Sequence, residues 1–136
     1  MKKILLIALI TITAIACNKN QRAVKKLDGE WKVTKITYTE DNVSESETDI
    51  DMTLSFDNCK LKNNEYCSMT TTLTSDSDTY TESGFYKVTS DGTILILADD
   101  LNGSDSEAIT IVELSSKKLI LEQVDGNEKI QIELEK

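Results

Sequence analysis

The chain is predicted to be all-β, with a single antiparallel up-and-down barrel of eight strands. From residue 27 onward, short segments rich in Ile, Val, Thr, Leu and Tyr are separated by Asp, Asn, Gly and Ser, a pattern typical of strands and turns. Apolar and polar residues alternate within the segments, which indicates strands with one face on a core and one in water. Because the joins are short, consecutive strands are antiparallel neighbours, and closing the sheet removes its free edges. An open sheet or a two-sheet sandwich is the alternative.

The alternation is clearest at residues 50–56 and 129–135. Gly92 and Gly126 each follow an aspartate between two strands, where a turn with positive φ is expected. Two longer joins are predicted to be loops that rim the same mouth of the barrel, while the cysteine-containing join lies at the opposite, narrower end. The predicted strands lie near residues 30–39, 49–58, 66–74, 78–89, 93–98, 107–114, 117–123 and 128–135, and the two loops are residues 40–48 and 99–106.

The N-terminus has the form of an export signal that ends at a cysteine. A cationic start precedes the apolar run of residues 4–16, which is too short to span a bilayer but suits the apolar region of a secretory signal. The small residues Ala14 and Ala16 before Cys17 resemble the lipobox of bacterial lipoproteins. That resemblance implies that residues 1–16 are removed and that Cys17 carries acyl chains, palmitate among them. An ordinary secretory signal with a chance cysteine is the alternative.

Residues 17–26 are predicted to be the lipidated cysteine and a flexible, basic tether. The basic residues are either a solvated linker or lie near anionic headgroups. The acyl chains would attach the protein to a membrane in the bacterial cell envelope. Asn18 and Lys19 provide no acidic retention signal of the kind that keeps lipoproteins in the inner membrane, which favours the outer membrane.

The mature chain is acidic and long enough for one domain. Removing residues 1–16 takes away two lysines and no acid, which leaves 13 basic against 24 acidic side chains, a charge of −11. Nucleic acid requires clustered Lys and Arg, so this class of partner is excluded. Residues 27–136 are predicted to form a single domain with one core.

Cys59 and Cys67 are predicted to form a disulfide, as an even pair in an exported protein usually does. A metal site is the alternative, but the chain has no histidine, and two thiolates do not complete a tetrahedral set. Residues 99–106 contain hard oxygen ligands but fail the calcium-loop pattern, so a solvated turn is favoured. Without histidine the commonest general base is missing. We therefore expect no cofactor, no metal and no enzymatic activity.

The first strand opens with Gly29-Glu30-Trp31, the Gly-x-Trp start found in lipocalins. With a lipoprotein-like leader before it and short strands after it, the chain resembles lipocalin-like lipoproteins of Bacteroidetes-type bacteria over residues 27–136. The resemblance implies that Gly29 turns the chain into the barrel and that Trp31 plugs its closed end. Many lipocalins stack a late arginine on this tryptophan, whereas Arg22 is the only arginine here.

The first functional hypothesis is a binding module that holds a small apolar or amphipathic ligand inside the barrel. A core filled by the same side chains is an equal alternative, since eight strands permit either. The second hypothesis is an envelope protein that docks a protein partner or has a structural role, with the apolar residues 93–97 as the first candidate surface. The candidate ligand-facing residues are Ile50, Met52, Leu54, Phe56, Met69, Leu73, Tyr86, Val88, Ile130, Ile132 and Leu134.

Overall fold

The computed structural model describes residues 19–60 and 65–136, so the signal peptide over 1–16 and the lipid-attachment residue Cys17 lie outside the described residues. One helix and nine strands occupy the described part of the chain. They are α1 (Lys19–Leu27), β1 (Gly29–Glu40), β2 (Val43–Glu47), β3 (Met52–Phe56), β4 (Cys67–Ser75), β5 (Asp78–Val88), β6 (Ile94–Ala98), β7 (Glu107–Leu114), β8 (Lys118–Asp125) and β9 (Glu128–Glu135).

Eight of these strands close into an antiparallel barrel, as predicted. The order β1-β3-β4-β5-β6-β7-β8-β9 returns to β1 through a β1–β9 pairing. Each barrel strand lies where the alternation predicted one. The glycines at the predicted turns have positive φ, 76° at Gly92 and 61° at Gly126.

The prediction of a loop over residues 40–48 is wrong, because the chain forms a tight hairpin there. Asp41 and Asn42 have φ of 48° and 67°, the left-handed conformation that Asp and Asn tolerate and that two-residue hairpins need. Strand β2 then pairs with residues 36–40 of β1 and has no second neighbour among the described strands. Two hydroxyl pairs bridge the hairpin, Thr37–Ser46 at 3.1 Å and Thr39–Ser44 at 2.8 Å.

The prediction of a flexible tether over residues 17–26 is also wrong where the structure describes it, because Lys19–Leu27 is helical. Ala23, Val24 and Leu27 share one helix face and are buried in the core. The side-chain amide of Gln21 donates to the Cys59 carbonyl at 2.8 Å. The apolar face explains the helix: its residues bury surface against the barrel, while the charged residues remain exposed.

We call the end of the barrel that α1 covers the closed end. The joins after β3, β5 and β7 also lie there, and the half of the barrel next to it is filled. Trp31 is fully buried and its indole N–H donates to the Leu27 carbonyl at 2.7 Å. Phe56 and Tyr86 meet edge to face at 5.0 Å between ring centroids, and the Tyr86 hydroxyl donates to the Asp57 carbonyl at 2.7 Å.

The opposite, open end carries the turns of the β1–β2, β4–β5 and β8–β9 hairpins. The middle of the 99–106 loop does not rim it, contrary to prediction, although both ends of the loop line a notch there. The loop follows the short strand β6, and a Cβ on Gly103 would lie 2.7 Å from the Tyr66 hydroxyl. Lys87 also lies over the Tyr66 ring, 4.7 Å from its centroid, and Lys87 is on the outer face because its neighbours in β5 are buried. The loop therefore folds along the outer face of the barrel. The barrel wall extends less far toward the open end at the short strand β6 than at the neighbouring strands.

Over residues 19–60 and 65–136, no helix combines the length and apolarity needed to cross a bilayer. Nor do three or more His, Cys, Asp or Glu side chains in this part of the chain come together as metal ligands. Within the 99–106 loop, the Asp100 carboxylate accepts hydrogen bonds from the backbone N–H of Asn102 and Ser104, at 2.8 and 3.1 Å. The hydrogen bonds from Ser104 are the main cause that lowers the pKa of the Asp100 carboxyl.

Candidate functional site

The candidate site is the inner face of the open half of the barrel, which we call the cup. Successive strand residues point to opposite faces, so the buried Trp31, Tyr86 and Leu134 identify the inner face of β1, β5 and β9. In β1 the register shifts between Val33 and Lys35, so the inner positions beyond the shift are Ile36 and Tyr38. Following that face toward the open end leads to apolar side chains that are exposed, by 37% to 67% of their surface. They are Tyr38, Val43, Leu73, Tyr80 and Ile130.

These five side chains form two groups on different walls of the cup. On one wall, Tyr38 is the register partner of Ile130, and Val43, the partner of Glu40, lies two pairs further toward the turn. On the other wall, Leu73 is the partner of Tyr80. Between the walls lies a floor of half-buried apolar residues that pack against the core: Ile36, Ile50, Met52, Leu54 and Ile132.

Two concavities open into this region. The larger has a volume of about 620 Å³ and lies against the β1–β2 hairpin and the start of β9. The smaller, of about 390 Å³, lies at the notch above β6, between β5 and the ends of the 99–106 loop. Met69 and Thr71, which follow the inner face of β4, are reached through that notch. Both volumes are within the range of roughly 300–1,000 Å³ that is typical of small-molecule sites.

The charged side chains that line the two concavities are almost all acidic. Eight carboxylates contribute, and the one ammonium group is that of Lys129. Its Nζ lies 4.0 Å from a carboxylate oxygen of Glu122. The carboxylates are Glu40, Asp41, Glu45 and Glu128 in the larger concavity, and Glu82, Asp99, Asp105 and Glu107 in the smaller.

The structure divides the candidate ligand-facing residues into three sets. Five of them are part of the packed core: Phe56, Met69, Tyr86, Val88 and Leu134. Apart from the edge of Met69 at the notch, these side chains cannot reach a ligand in the cup. For these five residues the filled-core alternative holds. Four form the floor, namely Ile50, Met52, Leu54 and Ile132. Leu73 and Ile130 stand exposed on the walls.

Sequence reasoning missed three side chains of the cup: Tyr38, Val43 and Tyr80. Both tyrosines lie in strands that were predicted. Continuing the alternation from Tyr86 toward the open end leads to Tyr80, whereas strict alternation from Trp31 would place Tyr38 on the outer face. Tyr38 faces inward because the register of β1 shifts between Val33 and Lys35. Val43 had no such signal, because its segment was interpreted as a loop. In the proposed docking segment, residues 93–97, Thr93 is exposed, whereas the four apolar residues that follow it are buried or half-buried.

The other predicted site residues lie at the closed end, away from the cup. Cys59 and Cys67 form the predicted disulfide, with Cα atoms 5.6 Å apart. Gly29 has φ of 110° where the chain enters β1. The Lys136 ammonium lies 4.9 Å from the centroid of the Trp31 ring and donates to the carbonyls of Lys26 and Asp28. A lysine therefore occupies the place over the tryptophan where the resemblance implied an arginine.

Comparison with known proteins agrees with this architecture. The chain is similar in fold to a lipocalin-like protein from Bacteroides uniformis ATCC 8492, with a TM-score of 0.52 and 16% identity over 79% of this chain and 96% of that one. No curated protein matches the chain in sequence. The family described as lipocalin-like domain matches residues 27–121, which is most of the chain. The protein therefore belongs to the lipocalin-like domain family.

Proposed function

We propose that the protein is a non-enzymatic binding module whose cup holds a small apolar or amphipathic ligand. One observation carries the proposal: five large apolar side chains on the inner face of the open half are exposed, although the same face is buried in the closed half. Covering apolar surface contributes about 25 cal/mol per Å². A ligand that covers the exposed part of two or three of these side chains gains several kcal/mol, minus the cost of its own immobilisation.

A matched pair of variants tests the cup. Tyr38→Ser removes an aromatic ring from the larger concavity, whereas Val124→Ser removes a side chain of similar exposure from the outer face of β8. With a neutral apolar dye as the probe, we expect Tyr38→Ser to weaken binding at least fivefold and Val124→Ser to leave it unchanged. Equal affinities for the two variants would place the dye outside the cup. Native mass spectrometry of protein from its own host tests for a retained small molecule.

We further propose that acyl chains on Cys17 tether the protein to the bacterial envelope, most simply at the outer membrane. One residue, Asn18, separates Cys17 from the start of α1. Because α1 covers the closed end, a tether there holds the cup away from the bilayer. The exposed charged residues of the helix are all basic, namely Lys19, Arg22, Lys25 and Lys26, which suits a position near anionic headgroups. Palmitate labelling of the wild type but not of Cys17→Ala supports the tether, and equal labelling contradicts it.

An envelope protein partner is the second candidate function, and the free edge of β2 favours it. An unpaired edge offers backbone N–H and C=O groups to an added strand. Glu45 and Glu47 on that strand oppose pairing with acidic chains. Crosslinking in cells distinguishes this candidate: a partner captured through a photoreactive residue at Ser46, but not at Val124, supports docking at β2.

A further inference from the structure

The negative charge of the cup indicates which class of small molecule it can bind. The cup carboxylates have no cationic partner among the described residues, where the single salt bridge joins Lys129 to Glu122. Glu40 and Glu128 are direct register partners across β1 and β9, and like charges placed directly opposite each other destabilise a sheet. The carboxylates of Glu40 and Glu128 therefore repel each other at the open end of the barrel, and a bound cation would reduce this repulsion.

The arrangement of these carboxylates suits an organic cation better than a metal ion. They are spread over two concavities, and the described residues do not bring three carboxylates together as metal ligands. Apolar side chains stand among them: Glu45 is the register partner of Tyr38, and Tyr38 is in turn the partner of Ile130. Aromatic faces such as that of Tyr38 also attract alkylammonium groups.

We propose that the ligand is a cationic amphiphile, with an apolar chain or ring system and a positively charged head that has no anionic group. The inference rests on the proposed function of the cup. The apolar part of the ligand contacts the floor and the two walls of the cup. The positively charged head lies among the carboxylates that line the two concavities. Fatty acids and other anionic amphiphiles are disfavoured, because these carboxylates repel their heads.

Calorimetric titration of the oxidised, delipidated protein with three dodecyl compounds below their micelle concentrations tests the inference. Dodecyltrimethylammonium and dodecyldimethylamine oxide at pH 8 share the tail and nearly the head size but differ in net charge, and dodecanoate carries the opposite charge. We expect the ammonium compound to bind roughly tenfold more tightly than the amine oxide, since each exposed charge pair contributes modestly. The preference should shrink in 1 M salt, where the Debye length falls to about 3 Å.

The variant pair Glu45→Gln with Glu128→Gln should reduce the affinity for the ammonium compound severalfold and leave that for the amine oxide unchanged. The control pair, Glu30→Gln with Glu135→Gln, removes the same charge from exposed positions at the closed end and should leave both affinities unchanged. Equal binding of the ammonium compound and the amine oxide, or tighter binding of dodecanoate, overturns the charge inference but leaves the cup as a binding site. If no dodecyl compound binds, the proposed function itself fails.

Discussion

Helix α1, which lies where a tether was expected, allows a specific prediction about stability. The prediction concerns Leu27. This side chain is fully buried at the end of α1 and packs in the same core as Trp31. The substitution Leu27→Ala leaves the backbone carbonyl that accepts the Trp31 hydrogen bond, so its effect isolates the loss of apolar packing.

The expected cost follows from the burial. Replacing Leu by Ala removes about three carbon atoms from the core, and each buried methylene contributes about 0.8 kcal/mol. The cavity left behind adds to this transfer term, which gives about 3 kcal/mol in total, within the range of roughly 2.7–5.0 kcal/mol measured for such substitutions. For a domain of this size, the loss lowers the melting temperature by roughly 10 °C.

Urea unfolding of the oxidised protein, followed by circular dichroism, measures the change in the free energy of unfolding. Lys25→Ala is the matched control, because Lys25 is exposed on the same helix and such surface substitutions usually change stability by less than about 0.5 kcal/mol. The affinity of folded protein for a cup ligand should not change, since α1 lies at the other end. A loss below about 1 kcal/mol for Leu27→Ala would show that α1 is not part of the core.

Three further predictions concern the closed end. Reduction of the Cys59–Cys67 disulfide should lower the free energy of unfolding by about 2.5 kcal/mol, as expected for closure of a loop of this length, and a difference below about 1 kcal/mol between oxidised and reduced protein would contradict it. Burial raises the pKa of the Tyr86 hydroxyl above its usual 10.0, so Tyr86 loses its proton at a lower pH in the unfolded state than in the folded state. Above pH 10 the wild type should therefore lose stability more steeply than Tyr86→Phe. Lys136→Met should cost about 1 kcal/mol through its lost contact with the Trp31 ring, whereas Lys136→Arg should largely retain stability.

The barrel was predictable because a sheet with one buried face imposes a period of two on its sequence. The residues of β3 and β9 show this period plainly, and their register in the barrel follows from it. The same period also predicted inward side chains in the regular strands, but not in β1, where the register shifts between Val33 and Lys35. It could not predict which inward side chains are buried, because Tyr38 and Trp31 lie on the same face of the same strand and differ only in their distance from α1.

The parts that were missed depend on interactions outside this period. Strand β2 has one apolar residue, and it pairs because of the backbone conformation of Asp41 and Asn42 and of hydroxyl contacts with β1. In α1, three buried residues among nine were a weak signal beside four basic residues. The path of the 99–106 loop depends on its contact with Tyr66, a tertiary interaction that no local pattern reveals.

The two ends of the barrel differ because, among the described elements, α1 covers one end and none covers the other. At the closed end, α1 supplies Val24 and Leu27 to the interior, and with Trp31 these side chains complete the core. At the open end, β6 stops at Ala98 and β2 pairs on one side only, and no element of the described residues covers the apolar side chains there. The strands nevertheless keep their apolar alternation into this region, which exposes Tyr38 and Tyr80. Since exposed apolar surface on a concave face is unfavourable in water, this end is where the ligand that we propose would gain most from covering the protein surface.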